Sequence, residues 1–133
     1  MTFNNKKISK IYIPISYGEL IDKITILEIK KNYMRKDQLD NVNKELKLLE
    51  DILQEKELEV NTDLKNELRQ INRSLWQIED KIRIKERKQE FDEEFIKLAR
   101  SVYKENDKRA SIKKNINYTY NSEIFEEKYY QNY

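Results

Sequence analysis

The sequence predicts an all-α protein: a long antiparallel helical hairpin packed in a bundle with N-terminal and C-terminal helices, preceded by a short extended arm. Three observations carry that prediction. Two stretches, Leu39 to Leu53 and Leu64 to Ile82, place apolar residues at alternating steps of three and four, the repeat of a helical seam. One Gly and one Pro in 133 residues leave too few turn formers for a β-sandwich or barrel. Charged residues, 39 % of the chain, are spread so that no uncharged run approaches the roughly 18 residues of a membrane span. The length suits one domain, with residues 1–15 as the arm, 16–117 as the bundle and 118–133 as an aromatic-rich tail.

In the arm, Lys10-Ile11-Tyr12-Ile13-Pro14-Ile15-Ser16 sets isoleucine at every second place, the period of a strand with one buried face. Pro14 has no N–H, so such a strand can lie only at an edge. It needs a partner, either Tyr118-Thr119-Tyr120 or the same segment of a second molecule. Ahead of it, Met1-Thr2-Phe3-Asn4-Asn5 runs into Lys6-Lys7 with no apolar stretch, so no signal peptide is expected and the chain reads as cytoplasmic.

Ser16-Tyr17-Gly18-Glu19 has the form of a capping box, with Ser16 on the third amide and Glu19 reaching back, and Ile15 and Leu20 as its staple. The first helix then runs to about Met34. Leu20, Ile21, Ile24, Leu27 and Tyr33 make its buried face, and Ile26 and Ile29 widen it, which predicts cover on more than one side. The second helix starts near Asp37 with its seam at Leu39, Val42, Leu46, Leu49 and Leu53. Thr62 or Asp63 caps the third, whose seam is Leu64, Leu68, Ile71, Leu75, Ile78 and Ile82 and which reaches about Gln89, roughly 40 Å. The short link makes residues 37–90 an antiparallel hairpin.

Asp92 caps a fourth helix, with Phe91 packing on Ile96 and an apolar face of Phe95, Leu98, Ala99, Val102 and Tyr103. Asn106-Asp107 is expected to break or bend it before a further helix over Lys108–Ile116. The tail from Ser122 to Tyr133 holds Ile124, Phe125, Tyr129, Tyr130 and Tyr133, too many large apolar groups for a disordered end. It is expected to dock on the bundle or on another subunit.

Two absences narrow the chemistry. Without Cys there is no disulfide, thiolate nucleophile or Cys-ligated metal; without His, the usual base near neutral pH is missing. Catalysis would fall to Asp, Glu, Lys, Arg or Tyr, and any bound metal would be a hard, oxygen-ligated cation. No cofactor or metal site is expected. The net charge of +2 conceals a polarity: residues 1–36 carry 8 basic and 3 acidic side chains, and residues 37–67 carry 4 and 10. Such segments attract each other within or between chains, and the overall basic excess is too small for a nucleic-acid binder.

No catalytic motif is present, so candidate sites rest on polar clusters beside apolar faces. The first is Glu19, Asp22 and Lys23 in the opening turns of the first helix, either a dipole-stabilised helix start or a carboxylate pair holding a cation. The second follows the third helix: Arg69, Asn72, Arg73, Trp76, Glu79, Asp80, Arg83 and Arg87. It reads either as a surface ladder, Glu79 with Arg83, or as a place for an anionic or planar ligand. The third is Arg100, Tyr103, Asn106, Asp107, Arg109 and Lys113. A helix break there would offer amide N–H groups to a phosphate or carboxylate; otherwise the cluster is a cap with surface charges. The basic run Lys81 to Lys88 spreads around its helix and reads as a solvated face.

Three stretches together resemble a family of short uncharacterised proteins from bacteria, including marine cyanobacteria, and their tailed phages. They are Ser16 to Lys30, Leu75-Trp76-Gln77-Ile78-Glu79-Asp80-Lys81-Ile82-Arg83, and Phe91-Asp92 through Arg100-Ser101-Val102-Tyr103 to Ala110. Some members of that family sit near sugar or glycosyltransferase functions. The resemblance supplies no activity, and it marks the same positions: Glu19, Asp22, Lys23, Trp76, Glu79, Arg83, Arg100, Tyr103, Asn106, Asp107 and Arg109. The expected function is a non-catalytic helical interaction or adaptor module, a homodimer with a possible protein partner. The alternative is a small enzyme or binding protein for an anionic metabolite such as a phosphosugar. That alternative requires Arg83, Arg100 and Arg109 to converge with Glu19 or Asp22.

Overall fold

The computed structural model describes residues 6–133, and among them the chain forms four α-helices and no strand. These are α1 (Tyr17–Tyr33), α2 (Lys36–Glu55), α3 (Thr62–Lys88) and α4 (Glu93–Thr119). The all-α class and the bundle are as the seams predict. The expectation about Met1 to Asn5 lies outside the described residues.

The pairing of the helices differs from the sequence reading. α1 packs on each of the other three, α3 and α4 lie along each other, and α2 and α3 do not come close. The α2 seam therefore closes on α1, and the α3 seam on α1 and α4, rather than on each other. The reason lies in α1 itself, which is apolar on several sides: Leu20, Ile21, Ile24, Leu27 and Ile29 are all buried. A helix with apolar groups around most of its circumference is stable only when surrounded. The long hairpin is instead α3–α4, two helices of 27 residues joined by residues 89–92. Each spans about 40 Å, whereas α1 has only 17 residues.

Burial is accordingly one-sided. Ile21, Ile24, Thr25, Leu68 and Ile116 are fully enclosed where α1 meets α3 and α4, with Val42 and Leu46 of α2 beside them. From Trp76 to Ile112 no residue is buried. The α3–α4 hairpin thus continues well past the cover that α1 provides.

The helix ends carry several corrections. Ser16 caps α1 by accepting from the Glu19 amide at 3.1 Å, but Glu19 does not close a capping box, because its carboxylate turns to Lys113. α3 is capped by Asn61, which accepts from the amides of Asp63 and Leu64, so neither Thr62 nor Asp63 is the cap. Asp92 caps α4 as expected, while Phe91 meets Phe95 edge-on with ring centroids 5.3 Å apart and Ile96 stays 54 % exposed. Tyr33 is 55 % exposed rather than buried, and it stacks on Trp76. α4 runs unbroken through Asn106 and Asp107, so there is no fifth helix and no second N-terminus. Each of those residues costs only a few tenths of a kcal/mol within a helix, less than continuous pairing along α3 returns.

α2, α3 and α4 leave by the same turn. The amide that follows the turn residue bonds back to the carbonyl five residues earlier: Leu58 to Leu53, Glu90 to Lys85 and Ser122 to Asn117. The turn residues Glu57, Gln89 and Asn121 have φ of 52°, 57° and 53°, and none is glycine. Residues 6–15 of the arm form neither helix nor strand. No backbone hydrogen bond ties residues 7–15 to the rest of the described chain. The expected partner is unavailable, since Tyr118 and Thr119 form the last turn of α4 and Tyr120 ends it. The tail does dock in part: Phe125 packs on Tyr118 and Tyr133 on Tyr103, while Tyr129 is 92 % exposed.

Candidate functional site

The buried polar residues Ser16, Asp22, Thr25, Asn72, Lys113 and Asn117 gather where the start of α1 lies across α3 and the end of α4. Gly18 sets the approach. Its amide donates to Asn117 Oδ1 at 2.6 Å, and a Cβ at this position would collide with the backbone carbonyl oxygen of Lys113. Only glycine lets the two helices lie this close.

One turn further along α1, the ammonium of Lys113 is enclosed by three carboxylates. Its Nζ stands 2.5 Å from Glu19 Oε2, 3.6 Å from Glu126 Oε2 of the tail and 3.8 Å from Asp22 Oδ2. The Lys113 and Asp22 side chains are 7 % and 4 % exposed. Asp22 Oδ1 accepts from Asn72 Nδ2 at 2.8 Å, and the same amide donates to Thr25 Oγ1. Thr25 in turn donates to the Asp22 carbonyl. Arg109 Nη1 reaches Asn72 Oδ1 at 3.4 Å, and its buried Nε has no partner among the described residues. On the adjoining turn, Glu28 binds Arg69 at 2.7 Å and Lys65 at 3.3 Å.

Unpaired charge at such a depth would cost several kcal/mol, so the groups are held by one another. Burial works to raise the Glu19 carboxyl, but the hydrogen bond and the charge of Lys113 outweigh it, and the group stays below its ordinary 4.5. Tyr17, which donates to the Glu59 carbonyl at 2.7 Å, is pushed up to about 12 by burial and then by Tyr120 and Glu59. A carboxylate held ionised and a phenol held protonated are poor proton-transfer groups near neutral pH. The arrangement suits holding three helices in register.

The structure divides the sequence-derived residues. Glu19, Asp22 and Arg109 meet at this junction. Lys23 is at its rim, 3.7 Å from Glu19. Trp76 stacks on Tyr33, the last residue of α1, with centroids 4.9 Å apart and takes no part in the junction's polar contacts. Glu79 and Arg83 form the expected surface pair at 3.2 Å. Arg100, Tyr103 and Asp107 share a face of α4, as their spacing predicts. Tyr133 comes back over Tyr103 and donates to Asp107 at 2.7 Å. Asn106 is half-buried within α4. Arg83 is on the surface of α3 and Arg100 is exposed, so Arg109 is the one arginine of the three that joins the junction, and it does so through Asn72 of α3.

Lys113 and Asn72 belong to the sequence clusters without being marked as their centres, and Thr25, Gly18 and Asn117 were not reached. What could have found them is the break each makes in an apolar face: Thr25 stands between Ile24 and Ile26, and Asn117 follows Ile116. Two hollows lie elsewhere. One of about 480 Å³ sits between α4 and the returning tail, bordered by Lys104, Asp107, Lys108 and Tyr133. A larger groove of about 1100 Å³ runs between the arm, the end of α2 and the exit of α4. Among the described residues no group of three or more His, Cys, Asp or Glu could hold a metal ion, and no helix is long and apolar enough to cross a membrane.

A family model described as a family of unknown function, DUF6165, matches residues 11–133, and the chain belongs to that family. No curated protein and no solved structure matches it.

Proposed function

We propose that this DUF6165 chain is a non-catalytic helical interaction module that associates with itself, as a homodimer in its simplest form. One observation carries the reading: large apolar side chains stand uncovered at both ends of the molecule, while its buried charges are used on one another. Ile8, Ile11 and Ile13 of the arm are 80 %, 78 % and 68 % exposed, and Phe91 and Ile96 at the far end of the α3–α4 hairpin are more than half exposed. Several such groups together mark an interaction surface, and two-fold symmetry is the commonest way for one chain to cover it. A chain without Cys fits the cytoplasm, the host's where a phage encodes it. Light scattering at micromolar concentration tests the reading. The expected mass is twice the chain's 16.4 kDa; a stable monomer overturns it.

A second reading, a binding protein or enzyme for an anionic metabolite such as a phosphosugar, draws on the unpartnered Nε of Arg109. Binding to the folded state raises its melting temperature. A rise with sugar phosphates that Arg109→Gln abolishes would favour this reading over the first.

A further inference from the structure

The arm and the groove beside it carry opposite charge, and each is incomplete alone. The groove has an apolar floor that includes Leu20, Leu49 and Ile52. Around it stand Glu45, Glu55, Glu57, Glu59 and Glu123, against Lys23 and Lys56. None of those five carboxylates is in an ion pair among the described residues. At about 1100 Å³ the space exceeds most small-molecule pockets, whose range is roughly 300–1,000 Å³, and it suits a length of peptide.

The arm is a segment of that kind. It brings Lys7 and Lys10 together with Ile8, Ile11 and Ile13, in the alternation of a strand, and no backbone hydrogen bond among the described residues holds residues 7–15. It borders its own groove without filling it, as the exposure of its isoleucines shows. Two fixed points explain why. The Ser16 cap and the bond from the Tyr17 amide to Ser122 Oγ anchor its root. Pro14 then fixes its own φ and holds Ile13 extended, so the arm leaves in one direction and does not fold back onto the floor.

We infer that the occupant of the groove is the N-terminal arm of a second copy, exchanged reciprocally across a two-fold axis. Ile8, Ile11 and Ile13 of one chain cover the apolar floor of the other, Lys7 and Lys10 meet the five glutamates, and residues 7–15 of the two chains pair edge to edge. Stiff arms on a short hinge are a low-cost route to such dimers. This rests on the self-association proposed above and names where it happens.

The absence of Cys makes the test free of background. Full-length Ile13→Cys and Leu58→Cys variants, one with a mass tag and both shown helical by circular dichroism, are mixed and oxidised. A disulfide between the two different chains is expected. Lys10→Glu in the first variant should cut its yield several-fold, and adding Glu57→Lys to the second should restore it. A double variant that closes Ile13→Cys on Leu58→Cys within one chain overturns the exchange. So does a dimer by light scattering whose mixed variants fail to cross-link, and in that case self-association stands and only its location is lost. A monomer overturns both.

Discussion

Lys113 and Lys85 are each held by three carboxylates, and they sit in opposite regions. Lys113 lies inside the junction and gathers Glu19, Asp22 and Glu126 from α1 and the tail. Lys85 lies at the tip of the α3–α4 hairpin and gathers Glu90, Asp92 and Glu94 from the next nine residues, at 3.1, 2.8 and 3.2 Å. The distances are alike and the settings are not. Around Lys113 two of the partners come from more than 90 residues away, and Asp22 is buried; around Lys85 all three partners are exposed and within nine residues. Water and salt screen the second set, while the first has little besides itself. An ion cluster is therefore structural or incidental according to what surrounds it, not according to how many contacts it makes.

The sharpest way to break the comparison is to remove each lysine. Lys113→Ala leaves buried Asp22 without its cation and Glu19 with only Lys23, and should cost about 3–5 kcal/mol in urea denaturation. Lys85→Ala should leave the denaturation midpoint nearly unmoved. Equal effects would mean that burial does not separate the two. Gly18→Ala comes next, at about 1–3 kcal/mol, because the added carbon meets backbone and α1 must shift away from α4. Its thermal melt should also lose cooperativity if the junction opens.

Acid gives a smaller, signed effect. The Glu19 carboxyl is lowered in the folded state, so its contribution is fully present above its ordinary 4.5 and is lost as the pH falls through the lower folded value. Circular dichroism followed downward from about pH 5 should show the fold weakening over that window. In Lys113→Met, the part due to Glu19 should disappear. The smallest effect belongs to Arg100→Ala, within about 0.5 kcal/mol for an exposed side chain. A larger loss would show that this arginine has a partner in the assembled protein.

What could be read from the sequence follows the same division. The seams, the Ser16 and Asp92 caps, the Glu79–Arg83 pair and the common face of Arg100, Tyr103 and Asp107 are set by neighbours within a few residues, and spacing reports them. Which helix fills which seam depends on comparing α1 with two competitors, and local periodicity is silent on that. The helix break at Asn106-Asp107 failed for a related reason, since a weak local preference yields to pairing along a whole helix. At the junction, acidic Glu19 and Asp22 and basic Arg109 were visible as separate charges. Their meeting depends on Gly18 and Asn117, whose role appears only when α1 and α4 are brought together.

The glycine-free exits of α2, α3 and α4 have a consequence for the denatured chain. Glu57, Gln89 and Asn121 hold a β-carbon in the left-handed region, at about 1–2 kcal/mol for an ordinary residue and less for asparagine. Glycine would relieve that strain but would enlarge the unfolded ensemble, a loss of about 0.5–1 kcal/mol at each site. The second term cancels about half of the first at Glu57 and Gln89 and more of it at Asn121. With one glycine in 133 residues, the chain keeps few ways to be disordered, and part of its stability lies in the conformations that its unfolded state is denied.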